Sequence, residues 1–213
     1  MSSFFDMDAP VMQALGKLGS MLWMSVLWLI CCLPVVTIGA STTALFRMMF
    51  NLREDKACSA PAFFRAFGSN FKKATLLWLV EIAFAAALVG YYLFVCSLGT
   101  ETVRLILVVP VCLLFLLASF VFLYVYPLTC YFENTVGNTL RNALILSFGN
   151  PRRTIPAFAL TLVPMIAMFL SLTWFIRLFW FWVLIAPGLL TYWIGRCLEP
   201  VFRACIPEED SEK

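Results

Sequence analysis

The chain has no histidine among its 213 residues, and only 13% of its residues carry a charge. Without histidine, a conventional zinc site and a Ser-His-Asp triad are excluded. Soluble domains have about 25% charged residues, so the shortage of charge argues against a chain that folds in water. The eight cysteines include no Cys-x-x-Cys pair, and most lie in or beside apolar runs. Because free cysteine behaves as a small buried hydrophobe, we interpret most of them as structural.

Long apolar runs make up most of the sequence. Hydrophobic residues account for 62% of the chain, and its mean hydropathy is +0.92. A helix needs ~20 apolar residues to cross a bilayer. The sequence therefore predicts an all-α polytopic membrane helix bundle, folded as a single membrane domain with five transmembrane helices. The predicted spans are residues 18–46, 74–98, 105–132, 155–176 and 178–195.

The distribution of Lys and Arg predicts an orientation. If the N-terminus lies outside, the outer segments carry three of these residues and the inner segments twelve. Cytoplasmic segments are enriched in Lys and Arg. We therefore predict a multi-pass protein with its N-terminus outside and its C-terminus in the cytoplasm. Residues 1–17 form an outer interfacial segment or a mobile tail, 47–73 and 133–153 form cytoplasmic loops, and 196–213 form a cytoplasmic tail.

The inner loops have an amphipathic pattern. Residues 60–73 place Phe63, Phe64, Phe67 and Phe71 at helical spacing, and residues 142–153 repeat the pattern more weakly. This predicts short interfacial helices with aromatic residues facing the bilayer. Their cations either contact anionic lipid or form a docking surface for a partner. The cations concerned are Arg65, Lys72, Lys73, Arg152 and Arg153.

A weak internal repeat relates the two halves of the chain. Residues 34–47 and 67–75 resemble residues 127–141 and 148–154 in their order of proline, polar, aromatic and basic residues. Both halves begin on the same side of the predicted membrane, so the repeat is parallel. The alternative is that two cytoplasmic loops share basic and aromatic residues without a structural relationship.

Glu81 is the one charged residue that lies within an apolar run. If the second span begins near Lys73, Glu81 lies ~12 Å along it. An ionisable group at that depth is a functional hypothesis by default. Its possible roles are coupling to a proton or cation, or a polar contact between helices. No second buried acid accompanies it, which weakens the hypothesis of a coupled transporter.

Two further segments contain candidate functional residues, one around Pro34 and one after the third predicted span. Pro34, Thr37 and Gly39 mark a broken or bent helix, because proline frees backbone carbonyl groups within a membrane helix. Such a bend either lines a cavity or belongs to a static bundle. Glu133 and Asn134 lie at the inner end of the third span, where Glu133 is predicted to pair with Arg47 or Arg141.

The sequence resembles the YesL family of bacterial membrane proteins. The similarity lies in residues 4–10 (FFDMDAP), in residues 31–40 (CCLPVVTIGA), in residues 64–75, and in Tyr126-Pro127 with residues 132–135 (FENT). It covers nearly the whole chain up to about Thr154. Asp6 departs from the asparagine that is frequent in the family.

The resemblance implies a location and an association, but no activity. Members of the family are typically encoded beside carbohydrate importers of the ABC type, glycoside hydrolases and two-component sensors. The expected location is the cell membrane of a bacterium. The sequence has no nucleotide-binding loop, dehydrogenase fingerprint or catalytic pair. We expect neither an enzyme nor a nucleic-acid binder, and no cofactor or metal.

Two hypotheses about function follow. The first is a non-enzymatic accessory or regulatory protein that contacts subunits of a sugar importer or a sensor kinase. The second is a small solute transporter or channel that uses Glu81 and the proline-broken helices.

Overall fold

The computed structural model describes residues 10–56, 58–97 and 101–205. Within these ranges the chain forms α-helices and one 3-10 turn (Val35–Thr37), and no β-strand is present there. This confirms the predicted all-α fold class. The helices are α1 (Pro10–Cys32), α2 (Ile38–Arg53), α3 (Ala60–Ser97), α4 (Glu101–Tyr131), α5 (Val136–Gly149), α6 (Pro151–Leu170), α7 (Leu172–Arg177), α8 (Phe179–Leu184) and α9 (Ala186–Arg203).

Five helical segments in this part of the chain are long and apolar enough to cross a membrane. Their number equals the predicted number, but their bounds differ from the prediction. They are Leu15–Cys32, Val35–Arg53, Ala60–Ser97, Glu101–Tyr131 and Pro151–Leu170.

The first predicted span, residues 18–46, is divided in the structure into two antiparallel helices. Pro34 lies between α1 and α2, and proline has no N–H group with which to continue a helix. The Nζ atom of Lys17 lies 2.9 Å from Oδ1 of Asp55. The N-terminal part of α1 and the residues just after α2 are therefore adjacent, at the end of the hairpin away from its turn. Hydropathy does not reveal the turn, because residues 33–37 are uncharged and mostly apolar.

This hairpin changes the predicted arrangement of the termini. The predicted topology, in which each of five spans crosses the membrane once, put Lys17 outside and the loop 47–73 in the cytoplasm. The structure instead places Lys17 beside Asp55, directly after α2. Arg53, at the end of α2, and Arg203, at the end of α9, both pair with Glu199. We call the end of the bundle that these five residues define the charged end. The N-terminal residues 1–9 and the C-terminal residues 206–213 lie outside the described residues.

The α3 helix joins two segments that the sequence analysis treated separately. The amphipathic stretch 60–73 continues without a break into the predicted span, giving a helix of 38 residues that is about 57 Å long. Trp78 Nε1 donates a hydrogen bond of 2.8 Å to the carbonyl oxygen of Val35, at the tip of the α1–α2 hairpin. The antiparallel α3–α4 hairpin therefore extends about 28 Å past that tip, since α3 continues to Ser97.

The last predicted span, residues 178–195, is not a single helix. The α8 helix ends at Leu184, and α9 begins at Ala186 with Pro187 in its first turn. Proline is favoured in the first turn of a helix because the N–H groups there have no partner within the helix. The α9 helix then runs into the predicted tail and carries Glu199 to the charged end.

The α2 helix occupies the centre of the bundle and joins two apolar clusters. One face contributes Phe46 and Phe50 to a cluster around Tyr124 and Phe202. The other face contributes Leu45, Met48, Met49 and Leu52 to a cluster around Met24 and Phe63. Burial on two faces explains why α2 is the most enclosed of the five candidate spans.

The two halves of the predicted repeat have different local structures. Residues 67–75 lie within α3, whereas residues 148–154 contain the junction between α5 and α6. Pro34 lies between two helices, while Pro127 lies inside α4.

Candidate functional site

Helices α3 and α4 bring Glu81 against Tyr126. The Tyr126 hydroxyl donates a hydrogen bond to Oε2 of Glu81. Nearby, the rings of Phe84 and Phe122 pack between the same two helices, with their centroids 6.4 Å apart. The acid that the sequence singled out therefore has a defined hydrogen-bond donor and a defined position between two helices.

Glu81 lines a cavity of about 460 Å³ that we call the Glu81 cavity. Phenylalanine and aliphatic side chains form most of its wall, and Glu81 is its one charged residue among those described. Its hydroxyl-bearing lining residues are Thr42, Ser119, Tyr126, Thr161 and Thr191.

Most of these hydroxyl groups direct their hydrogens away from the cavity. Ser119, Thr161 and Thr191 each donate to a carbonyl oxygen of their own helix, at 2.7, 2.6 and 2.6 Å. Thr42 accepts a hydrogen bond of 3.3 Å from Trp28 Nε1. Oxygen lone pairs thus remain available for a ligand, and the cavity suits a cation or a solute that donates hydrogen bonds.

The predicted bend residues Pro34, Thr37 and Gly39 have structural contacts. The Thr37 hydroxyl lies 2.5 Å from the carbonyl oxygen of Cys31 and 2.7 Å from that of Pro34. The Pro34 carbonyl also accepts a hydrogen bond of 2.9 Å from the Thr37 backbone N–H, so Thr37 holds the turn through both its backbone and its side chain. A Cβ atom at Gly39 would lie 2.5 Å from the carbonyl oxygen of Ala74. These residues shape the turn and permit close packing of α2 on α3, and none of them lines the Glu81 cavity.

A second concave site lies between α2, α3 and the end of α4, and we call it the basic groove. It has a volume of about 590 Å³ and is lined by Arg47 of α2, Arg65 and Lys73 of α3, and Glu133, which follows α4. Its neutral polar lining includes the side chains of Asn51, Ser69, Asn70 and Thr129. The groove is far more polar than the Glu81 cavity and contains four charged side chains.

Glu133 lies in the basic groove, but no ion pair with Arg47 or Arg141 is present among the described residues. Arg47 instead donates a hydrogen bond of 2.9 Å to the carbonyl oxygen of Cys130, in the last turn of α4. Asn134 lines a different hollow, beside Leu128 and α5. The structure therefore brings Glu133 together with Arg47 in the basic groove, while Asn134 lines neither the basic groove nor the Glu81 cavity.

The cations that the sequence assigned to lipid or partner contact are exposed. Arg65, Lys72 and Lys73 lie on α3, and Arg152 and Arg153 lie in the first turn of α6. We call these five side chains the basic face. Two of them, Arg65 and Lys73, also line the basic groove.

An ion-pair cluster that the sequence analysis missed joins α2 to α9. Glu199 is 5% exposed and contacts both Arg53 and Arg203. Arg53 also lies over the ring of Tyr192, at 5.9 Å from the ring centroid. The spacing of Glu199 and Arg203, four residues apart on one helix, was a visible signal. Its partner on α2 became apparent only from the packing of the two helices.

The fold and these sites define a polytopic helical membrane protein. A family model described as "Protein of unknown function, DUF624" matches residues 21–92. The matched region contains about half of α1, all of α2 and most of α3, including Glu81 and the three cations of the basic groove (Arg47, Arg65 and Lys73). It is consistent with the resemblance to the YesL family. No curated protein and no solved structure matches the chain.

Proposed function

We propose that this chain is a non-enzymatic accessory or regulatory protein of a carbohydrate uptake or sensing system, in the plasma membrane of a bacterium. The observation that supports this proposal most directly is the basic face. Its five side chains are exposed, and no ion pair within the described residues occupies them. Exposed cations without ion-pair partners are suited to an acidic partner, because opposite potentials steer and orient association. The resemblance to the YesL family suggests importer subunits or a sensor kinase as that partner.

The same distribution of charge supports a cytoplasmic location for the charged end. Four cations form ion pairs at this end: Lys17, Arg53, Lys56 and Arg203. At the opposite end, the α3–α4 connection is followed by Arg104. Under the positive-inside rule, the charged end faces the cytoplasm. The end of α9 then lies in the cytoplasm as predicted, and the start of α1 lies there too.

Affinity purification from native membranes tests the accessory function. The wild-type chain is expected to retain importer subunits or a sensor kinase at near-stoichiometric amounts in mild detergent. The charge-reversed variant K72E/R152E/R153E changes only basic-face residues that lie outside the basic groove. It is expected to retain about one tenth as much partner.

The matched control is K56E, which reverses an exposed charge outside the basic face. Lys56 lies 2.5 Å from Glu54, and its loss is expected to leave partner recovery unchanged. The proposal fails if the wild-type chain purifies alone, or if the triple variant and the control retain the same amount of partner.

A second candidate function rests on the Glu81 cavity. A carboxyl group among oxygen acceptors, between two candidate spans, is suited to bind a cation or a hydroxylated solute. This arrangement supports the hypothesis of a small solute transporter or channel. Such a protein would move a solute without any partner.

Reconstitution in liposomes distinguishes the two functions. A transporter is expected to move protons, measured with an entrapped pH-sensitive dye, or labelled sugars from a panel. The E81Q variant is expected to abolish that flux. E101Q, at the exposed start of α4, removes a carboxylate outside the cavity and is the matched control. An absence of flux in wild-type liposomes, or equal flux in E81Q and E101Q, would reject a transport role for Glu81.

A further inference from the structure

The basic groove gathers three cations on one concave surface. Arg65 and Lys73 are separated by eight residues of α3, or about two helical turns, so they lie on one face with Ser69 between them. Arg47 approaches from α2. Ala62 and Ala66 contribute to the lining from the same face of α3. Their short side chains leave the space that the groove occupies.

The cations of the groove form no ion pair with a carboxylate of the described residues. Lys17, Arg53, Lys56 and Arg203 each pair with a carboxylate within 4 Å. In the described ranges, no such pair includes a cation of the groove. With Glu133 as the fourth charged residue, three cations and one acid give the groove a net charge of +2.

One of these cations is held in place. Arg47 uses one nitrogen to bind the carbonyl oxygen of Cys130 at 2.9 Å. A guanidinium group has five N–H donors, so this bond positions the group and leaves other donors free. The nearby amide groups of Asn51 and Asn70 add neutral polar groups to the same surface.

We propose that the basic groove binds the phosphate group of a phosphate ester. Arginine and lysine side chains form short, charge-assisted hydrogen bonds with phosphate oxygens, and arginine matches their geometry with two parallel donors. Glu133 disfavours a bare anion and accepts a hydrogen bond from a hydroxyl group beside the phosphate. The matching chemistry is glycerol phosphate, either as the headgroup of phosphatidylglycerol or as a free solute.

Binding to the purified full-length chain in a neutral detergent tests this site. The probes are short-chain phosphatidylglycerol and glycerol 3-phosphate, each titrated separately with affinity measured by calorimetry. The R65Q/K73Q variant is expected to weaken binding about tenfold or more. The matched control, K56Q/R141Q, removes one lysine and one arginine at exposed positions outside both the groove and the basic face, and it is expected to bind as the wild type does.

A steric variant tests the groove without a change of charge. Ser69 is exposed and lines the groove, so Ser69→Leu is expected to fill it and to weaken binding while the helix is retained. Circular dichroism and size-exclusion chromatography establish that each variant is folded.

The two probes identify the source of the phosphate. Binding of phosphatidylglycerol alone assigns the site to a lipid headgroup, and binding of glycerol 3-phosphate assigns it to a free solute. The proposal is overturned if neither probe binds, or if K56Q/R141Q weakens binding as much as R65Q/K73Q. These measurements need no protein partner, so their result is separate from that of the accessory function.

Discussion

Replacing Glu199 by glutamine is expected to destabilise the charged end more than any single change of an exposed charge. Glu199 is 5% exposed and contacts Arg53 and Arg203. The Arg53 side chain is only 19% exposed, whereas that of Arg203 is 63% exposed. Without the carboxylate, Arg203 turns to solvent, but Arg53 keeps a charge that water reaches poorly.

The expected magnitude follows from the burial of this pair. Removal of one partner from a buried ion pair costs about 3–5 kcal/mol, mostly because the remaining charge is uncompensated. We expect the lower value, about 3 kcal/mol, because glutamine retains a hydrogen-bond acceptor. For a chain of this size, each kcal/mol corresponds to about 2–4 °C in Tm, so Tm should fall by roughly 6–12 °C.

A thiol-reactive dye that fluoresces on binding measures this change in detergent, since unfolding exposes the buried Cys130 and the half-buried Cys31, Cys32, Cys58 and Cys197. The control is Glu54→Gln, which removes a carboxylate that pairs with the exposed Lys56 at 2.5 Å. An exposed pair of this kind contributes about 0–1 kcal/mol. Equal Tm values for the two variants would contradict the compensation of the Arg53 charge by Glu199.

Two further predictions concern packing and reactivity. Gly39→Ala is expected to lower Tm by several degrees, because its Cβ atom would lie 2.5 Å from the Ala74 carbonyl oxygen. The control Gly68→Ala, which has open space around it, should leave Tm unchanged or raise it. Equal thermal shifts of the two variants would contradict the close approach of α2 and α3 at Gly39. Burial raises the pKa of the Cys58 thiol above its ordinary value, so less thiolate is present near pH 7. Maleimide should therefore label Cys58 more slowly than the exposed Cys205, and the rate at Cys58 should rise as the pH approaches the raised pKa. Mass-spectrometric peptide maps measure both rates. Faster labelling of Cys58 than of Cys205 would contradict this prediction.

The prediction of membrane helices succeeded where it depended on composition. An apolar run has to leave water whatever its neighbours are, and in a bilayer its backbone is satisfied by a helix. Residues 105–132 therefore correspond closely to α4, whereas 155–176 overlaps α6 up to Leu170 and continues into α7. Glu81 was identified for the same reason, because a charge within an apolar run is visible in the sequence alone.

The turn at Pro34 shows where composition was not enough. The run 18–46 has no charge and is long enough for one helix, but it forms α1 and α2 as a hairpin. Hydropathy is the same for one tilted helix and for two shorter antiparallel ones. Only the packing of α2 against α1, α3 and α9 shows which of them the chain adopts. Because the run was predicted to be one helix, Lys17 was predicted to lie on the side of the membrane opposite to Asp55, which was wrong.

The sequence by itself determined the solvent, the helical class and the residues whose charge is costly in that solvent, because these depend on the free energy of transfer of each segment. The tertiary structure alone decided which residues meet. Tyr126 reaches Glu81, Glu199 reaches Arg53, and Arg47 joins Arg65 and Lys73 around one groove. These contacts join residues far apart in the chain, and they depend on how helix surfaces fit together, which no local pattern of residues specifies.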